Sequence, residues 1–175
     1  NVGKPERNRF ASLQDGYHGD TLGAVSVGYL EGFHAPFRSM LFPVFQAESP
    51  CCGTCRRGLT PDTCGLACFD SMRQMVETHA GELAAVIVEP LCQGAAGMRM
   101  YPPEYLRRLE QLCVDTGGLL IVDEIAMGFG RTGRMFAFEH AGISPDLVCV
   151  GKSLGGGYLP ISATIVKESI VRTFS

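Results

Sequence analysis

Apolar runs without alternation mark the strands of this chain. A strand that is covered on both faces has no solvent side, so it reads as a continuous stretch of apolar residues. Three such runs stop on charged residues, at Glu89, at Asp123-Glu124 and at Lys152. Together with shorter runs they predict six strands, at residues 9–13, 40–45, 84–89, 118–124, 146–152 and 159–166.

Apolar residues at a spacing of three or four predict helices between these strands. A short helix starts with Asp20 or Thr21 as its N-cap. The two longer helices have the apolar faces Phe69, Met72, Met75 and Val76, and Leu106, Leu109, Leu112 and Cys113. Strands that alternate with such helices are typical of βαβ units. The pattern therefore predicts an α/β fold with three layers, α/β/α, and a mostly parallel sheet.

Asp123 and Lys152 are the candidate chemical pair, because ligands of open α/β sheets bind beyond the carboxyl ends of the strands. Pyridoxal phosphate requires a lysine amine for its aldehyde and a carboxylate for its pyridine nitrogen. Alone, Asp123 could cap a helix and Lys152 could be a solvated loop residue. The glycines at 155–157 favour a site. A phosphate-binding P-loop is excluded, since its leading glycine would fall at Asp146.

The letters around this pair resemble those of class III pyridoxal-phosphate aminotransferases. The run Asp-Glu-Ile-Ala-Met-Gly-Phe-Gly-Arg-Thr-Gly starts at Asp123, and Gly-Lys follows at Lys152. Tyr-His-Gly-Asp-Thr from Tyr17 and Val-Glu-Pro around Glu89 match two further motifs. The resemblance covers nearly the whole chain. It implies that residues 1–175 are part of the pyridoxal-phosphate-binding large domain of fold type I, in which the strand after the lysine runs antiparallel.

The resemblance also implies roles for individual residues. Lys152 would anchor the cofactor and move a proton in a two-stage amino transfer, and Tyr17 would lie against the ring and bind substrate together with Lys152. The implied cofactor-binding residues are Lys152, Asp123, Tyr17, His18, Ile125 and Glu89. Ile125 is expected on the ring face opposite Tyr17. An ion pair of Glu89 with an arginine such as Arg131 is an alternative for that carboxylate.

Within the family, the His-Gly-Asp-Thr segment from His18 and the Ile-Ser-Ala-Thr segment from Ile161 resemble most the biotin-pathway members. This implies a small-molecule amino donor, either S-adenosylmethionine or lysine, and the keto acceptor 8-amino-7-oxononanoate. Another class III transferase that uses an ω-amino acid, ornithine or 4-aminobutyrate stays open. The resemblance further implies a homodimer.

Five of the eight cysteines fall in a segment at about 46–68 that we interpret as an insertion: Cys51, Cys52, Cys55, Cys64 and Cys68. C-x-x-C followed by C-x-x-x-C is a pattern typical of structural zinc. A zinc-binding module on a non-catalytic α/β domain is therefore an alternative for the whole chain. Because the family resemblance supplies no metal role, we expect thiols without a metal.

Composition and charge limit the classes of partner that the chain is expected to bind. The chain has 175 residues, 46% of them hydrophobic, which is enough for a sizeable core. Its net charge of -3 without a basic tract gives no electrostatic basis for binding nucleic acid or a membrane surface. No long apolar run and no secretory pattern at Asn1 occur, so a cytoplasmic location is expected. We also expect an internal fragment, inactive by itself, with the cofactor's phosphate loop before Asn1 and more of the enzyme after Ser175.

Overall fold

The computed structural model describes residues 3–53, 55–60 and 62–174, and a mostly parallel sheet lies at its centre. In chain order the strands are β1 (Arg9–Leu13), β2 (Phe45–Ala47), β3 (Leu83–Val88), β4 (Cys92–Gln93), β5 (Arg99–Met100), β6 (Leu119–Asp123), β7 (Leu147–Val150) and β8 (Ala163–Val166). The main sheet has the order β2-β1-β3-β6-β7-β8, and β4 pairs with β5 separately.

All neighbouring strands of the main sheet run parallel except β7 and β8. The predicted α/β fold with a mostly parallel sheet is confirmed, and so is the antiparallel strand after the lysine. Since β1, β3, β6 and β7 point the same way, their carboxyl ends meet at one edge of the sheet. Tyr17, Glu89, Asp123 and Lys152 all end these strands or follow them within a few residues at that edge.

The helices are α1 (Leu22–Val27), α2 (Glu31–His34), α3 (Phe69–Thr78), α4 (Pro103–Thr116) and α5 (Glu168–Val171), and 3-10 turns cover Ala35–Met40, Ala137–His140, Lys152–Gly155 and Arg172–Phe174. Local sequence explains their ends. Thr21 caps α1, because its side chain accepts a hydrogen bond from the Ala24 amide. Gly117 ends α4 with φ 69°, a left-handed conformation that glycine adopts without a Cβ clash.

The predicted apolar faces of α3 and α4 pack into the core. Phe69, Met72 and Val76 are buried in α3, and the four predicted positions of α4 are buried as well. The edge of the Phe69 ring contacts Tyr105 of α4 at a centroid distance of 5.1 Å. The two helices thus bury one continuous apolar layer against the sheet.

Two strand predictions were wrong in position. The strand expected at 40–45 begins only at Phe45, because Ala35–Met40 is a 3-10 turn and Pro43 has no amide hydrogen for a sheet ladder. The strand expected at 159–166 begins at Ala163, after the glycine-rich loop and Pro160. Thr54 and Pro61 of the insertion lie outside the described residues, as do Asn1, Val2 and Ser175. The domain boundaries stay a prediction.

Candidate active site

A cavity of about 500 Å³ opens at the carboxyl edge of the sheet. The structure brings together there all six residues that the sequence predicted to bind the cofactor: Tyr17, His18, Glu89, Asp123, Ile125 and Lys152. The remaining wall consists of Gly19, Gly94, Ala95, Met98, Ala126, Met127 and Arg131. These predicted residues come from four separate parts of the chain, so it is the parallel strand order that gathers them.

Asp123 is the last residue of β6 and is 5% exposed. Its Oδ2 lies 2.8 Å from Nδ1 of His18, and its Oδ1 accepts a hydrogen bond from the Ile125 amide at 3.1 Å. An ionised carboxylate only accepts hydrogen bonds, so Nδ1 of His18 is the donor. The pair is buried on both sides and fixes the orientation of the carboxylate at the cavity wall. Sequence reasoning placed His18 near the cofactor but did not predict this contact.

Glu89 directly follows β3 and holds two loops of the cavity. Its Oε1 accepts from the Tyr17 amide at 3.2 Å, and its Oε2 accepts from the Gly94 amide at 2.9 Å. Burial raises the pKa of Glu89, and the two amide donors oppose that shift. Among the described residues no ion pair joins Glu89 to Arg131, whose Nε donates to the Ala126 carbonyl at 2.6 Å. The ion-pair alternative for Glu89 was therefore wrong.

Tyr17 is held at both ends. Its amide donates to Glu89, and its hydroxyl donates to Oδ2 of Asp20 at 2.7 Å, a bond that raises the pKa of Tyr17. Gly28, just after α1, lies directly against this loop. A Cβ atom at Gly28 would be 2.8 Å from the His18 amide nitrogen and 3.0 Å from the Gly16 carbonyl oxygen. Only a glycine lets α1 approach the loop so closely.

Lys152 follows β7 after one residue and is exposed at the cavity. Its φ of 42° lies in the left-handed region, which costs a residue with a side chain roughly 1–2 kcal/mol. Such strain tends to occur at functional sites. Preceding Gly151 lies next to Ile125, because a Cβ added there would be 3.6 Å from two carbons of the Ile125 side chain. Ile125 thus lies between β7 and the cavity.

Glu124 is a buried carboxylate that sequence reasoning did not assign to the site. It is 0% exposed, and its Oε1 accepts from the Phe138 amide at 2.8 Å. Its Oε2 is buried without a hydrogen-bond partner among the described residues. Burial raises the pKa of Glu124. The side chain does not line the cavity; it ties Phe138 to the end of β6 and so closes the loop that carries Ile125 and Met127. The sequence signal for this role was the pair of consecutive acids at a strand end. Because successive side chains of a strand point to opposite faces of the sheet, only one of the two acids is expected to face the cavity.

The five cysteines of the insertion line a second cavity of only about 20 Å³: Cys51, Cys52, Cys55, Cys64 and Cys68. Burial and neighbouring thiols raise the pKa of Cys52, and they raise that of Cys68 to about 11. Among the described residues no group of three or more histidines, cysteines or acids is arranged to hold a metal ion. The expectation that these thiols carry no metal stays a prediction. No described helix is long and apolar enough to span a membrane.

Comparison with known proteins identifies the family of the chain. The family model for aminotransferase class III matches residues 1–175. An adenosylmethionine-8-amino-7-oxononanoate aminotransferase of Geobacter sulfurreducens is 46% identical over 173 residues, which are 98% of this chain and 38% of that relative. The chain thus spans well under half the length of the relative it matches.

Solved structures agree with this comparison. The crystal structure of an adenosylmethionine-8-amino-7-oxononanoate aminotransferase from Methanocaldococcus jannaschii is 38% identical with a TM-score of 0.88, over 99% of this chain and 38% of that one. A PLP-bound amine transaminase from an uncultivated Pseudomonas species is 34% identical with a TM-score of 0.91, over 98% and 39%. The predicted fold of pyridoxal-phosphate transaminases is confirmed. The chain belongs to the class III aminotransferase family.

Proposed function

We propose that the complete protein containing this chain transfers an amino group to 8-amino-7-oxononanoate and forms 7,8-diaminononanoate in biotin biosynthesis. One observation carries the proposal: the buried Asp123 carboxylate and the exposed Lys152 amine line the same cavity, in a chain that the class III family model matches throughout. The names of relatives 46% and 45% identical to this chain point to this acceptor and to adenosylmethionine as the amino donor.

The residues of the cavity fit pyridoxal phosphate. Its volume of about 500 Å³ lies within the range of small-molecule sites. A buried acid that accepts from His18 and Ile125 suits a protonated pyridine nitrogen, because a carboxylate in a low-dielectric site strongly favours a nearby positive charge. Tyr17 and Ile125 supply the aromatic and apolar walls that a flat heterocycle requires. When bound, the cofactor would act as an electron sink for charge that develops on the amino donor.

Lys152 has two tasks in this proposal. Its Nζ would hold the cofactor covalently through the aldehyde carbon, and once released it would move a proton at the reacting carbon of the donor. Lys152 is exposed and lines the cavity, which leaves its amine free to reach both positions. Asp123 would hold a proton at the ring nitrogen throughout. The carboxylate does so because His18 and the Ile125 amide keep it oriented toward the cavity.

The side chains around this pair would position substrate and exclude water. Glu89 would hold two parts of the cavity wall in place, because it bonds both the Tyr17 amide and the Gly94 amide. Met127 is buried and lines the cavity together with Ala126. Apolar side chains such as these suit the aliphatic chain of 8-amino-7-oxononanoate.

The test is product analysis with the complete purified protein. Adenosylmethionine and 8-amino-7-oxononanoate should yield 7,8-diaminononanoate by mass spectrometry, and Lys152→Ala should yield none. Lysine in place of adenosylmethionine identifies the donor. Turnover of ornithine, 4-aminobutyrate or another ω-amino acid, without any product from 8-amino-7-oxononanoate, would show a different class III transferase. The expected homodimer and cytoplasmic location stay part of the proposal and are tested by ultracentrifugation and cell fractionation.

A further inference from the structure

The cysteine-containing insertion contacts residues 14 and 15, just before Tyr17, through the Ala47 carbonyl, which accepts from the Gln14 amide at 2.9 Å, and through the Arg56 side chain. Arg56 of the insertion donates from Nη2 to Oδ2 of Asp15 at 2.8 Å and from Nη1 to Oε1 of Gln14 at 3.2 Å. Asp15 and Gln14 begin the segment 14–19, here named the Tyr17 loop, which carries Tyr17 and His18 into the cavity. Gln14 and Asp15 do not line the cavity themselves, so the insertion contacts the part of the loop that lies outside it.

Asp15 is a suitable point for such a contact. It has φ 59°, a left-handed conformation that asparagine and aspartate tolerate better than most residues. Its Oδ2 also accepts a hydrogen bond from Nη1 of Arg99 in β5. Two guanidinium groups from different segments thus converge on one carboxylate, one position before Gly16. Gly16 is the one residue between Asp15 and Tyr17, and it is tightly packed, because a Cβ added there would be 3.1 Å from the Leu13 carbonyl oxygen and 3.3 Å from Nε2 of His18.

The insertion is itself attached to β5. The Cys52 amide donates to the Met100 carbonyl at 3.0 Å, so the insertion and the strand that carries Arg99 form one support. On the opposite side of the Tyr17 loop, Glu89 accepts from the Tyr17 amide, and Asp123 pairs with His18. The loop is held between the site on one side and the support on the other.

We propose that Arg56, acting with Arg99 on Asp15, is a positioning residue that holds the Tyr17 loop over the cofactor cavity. This gives the insertion a role that requires neither metal nor disulfide. The consequence for catalysis depends on the proposed function, because it is there that Tyr17 and His18 contact the cofactor. The contact by which Arg56 holds the Tyr17 loop does not depend on the proposed function.

The size of the effect follows from exposure. The Arg56 and Asp15 side chains are 48% and 35% exposed, so solvent screens the pair. Exposed ion pairs of this kind correspond to roughly two- to fivefold in an equilibrium constant. Arg56→Ala should therefore weaken cofactor and substrate binding by about two- to fivefold. Asp15→Asn, which keeps a residue tolerant of the left-handed backbone but removes both charged contacts, should weaken it by about tenfold.

Arg57 is a matched control in the same insertion. It is of similar exposure, but its guanidinium contacts Glu48, with Nη2 to Oε2 at 2.7 Å, and does not reach the Tyr17 loop. Arg57→Ala removes the same kind of side chain and the same kind of ion pair. A general weakening of the insertion would affect both variants, whereas a role in positioning affects only Arg56.

The experiment makes two measurements on each variant of the complete protein. One is amide hydrogen exchange of residues 14–19 without cofactor, and the other is the steady-state kinetics of amino transfer. Arg56→Ala should speed exchange in this segment and raise KM, with kcat and the melting temperature unchanged, and Arg56→Lys should restore only part of the effect, since lysine lacks the planar fork. Arg57→Ala should match the wild type. Arg56→Ala in an Asp15→Asn background should add little.

Each outcome decides the proposal. Equal exchange rates in the Arg56→Ala and Arg57→Ala variants would overturn the proposal that Arg56 holds the Tyr17 loop. Full additivity of Arg56→Ala with Asp15→Asn would overturn it as well. Unchanged KM in a variant with faster exchange would limit Arg56 to a structural contact and also overturn its positioning role. Because exchange is measured without cofactor or substrate, an absence of amino transfer in the wild-type protein would refute the proposed function and leave the exchange result intact.

Discussion

Replacing His18 by phenylalanine tests the contact that the structure reveals at the centre of the site. The substitution keeps an aromatic ring of similar shape but removes the donor that lies 2.8 Å from Asp123. Asp123 would then keep the hydrogen bond from the Ile125 amide but lose its orientation toward the cavity. We expect the cofactor to bind more weakly and amino transfer to slow.

The magnitude follows from the burial of the pair. The side chains of His18 and Asp123 are 3% and 6% exposed, so water neither screens nor replaces their hydrogen bond. A hydrogen bond to a charged group contributes about 1.5–3 kcal/mol, which corresponds to roughly 10- to 150-fold in kcat/KM. The effect should appear in kcat as well as in cofactor retention, because the carboxylate acts throughout the reaction.

The assay measures kcat/KM for the two amino-transfer substrates and cofactor retention after dialysis. His140→Phe is the matched control, because Nε2 of His140 contacts the Thr132 carbonyl at 2.9 Å and the ring does not line the cavity. His140→Phe should stay within about twofold of the wild type. If His18→Phe also stayed within twofold, with normal cofactor retention, the contact with Asp123 would have no part in the chemistry.

Three further variants test neighbouring parts of the account. Asp123→Asn should retain its fold but slow amino transfer by about 100- to 1,000-fold, measured as kcat, since a neutral amide cannot hold a proton at the ring nitrogen. Burial raises the pKa of Glu124 in the folded protein above its ordinary 4.5, so the protonated side chain contributes stability to the fold that is fully present below pH 4.5. This stability is lost as the pH rises through the folded-state pKa of Glu124. The melting temperature of Glu124→Gln should therefore exceed that of the wild type at about pH 8, and by a smaller margin at about pH 5. An equal margin at both pH values would contradict this reasoning. Gly28→Ala should lose about 1–3 kcal/mol and cofactor affinity, because its Cβ would meet backbone at 2.8 Å, whereas Gly32→Ala meets no atom within 4 Å and should fold normally.

The strand ends of the site were predictable from the sequence. Apolar runs that stop at Glu89 and Asp123 or precede Lys152 indicate parallel strands, and parallel strands end at the same edge of a sheet. Family resemblance added Tyr17, His18 and Ile125, and all of these residues line one cavity. Their individual roles in cofactor binding stay predictions.

The contacts between distant residues were not predictable in the same way. His18 and Asp123 are 105 positions apart, and no periodicity encodes which side chains meet across β1, β3 and β6. The support of Asp15 by Arg56 depends on how an irregular segment folds back, which local preferences do not determine. The misplaced strand before Phe45 has the same origin, since an apolar run alone does not distinguish a strand from a 3-10 turn.

The central claim is that Lys152 holds the cofactor opposite Asp123, and one measurement tests it most directly. The complete protein, loaded with pyridoxal phosphate, is reduced with borohydride, digested and analysed by peptide mass spectrometry. We expect a phosphopyridoxyl label on the peptide that contains Lys152, and its loss in Lys152→Ala. A label on Lys4, Lys167 or any other lysine, with Lys152 unmodified, would contradict the account.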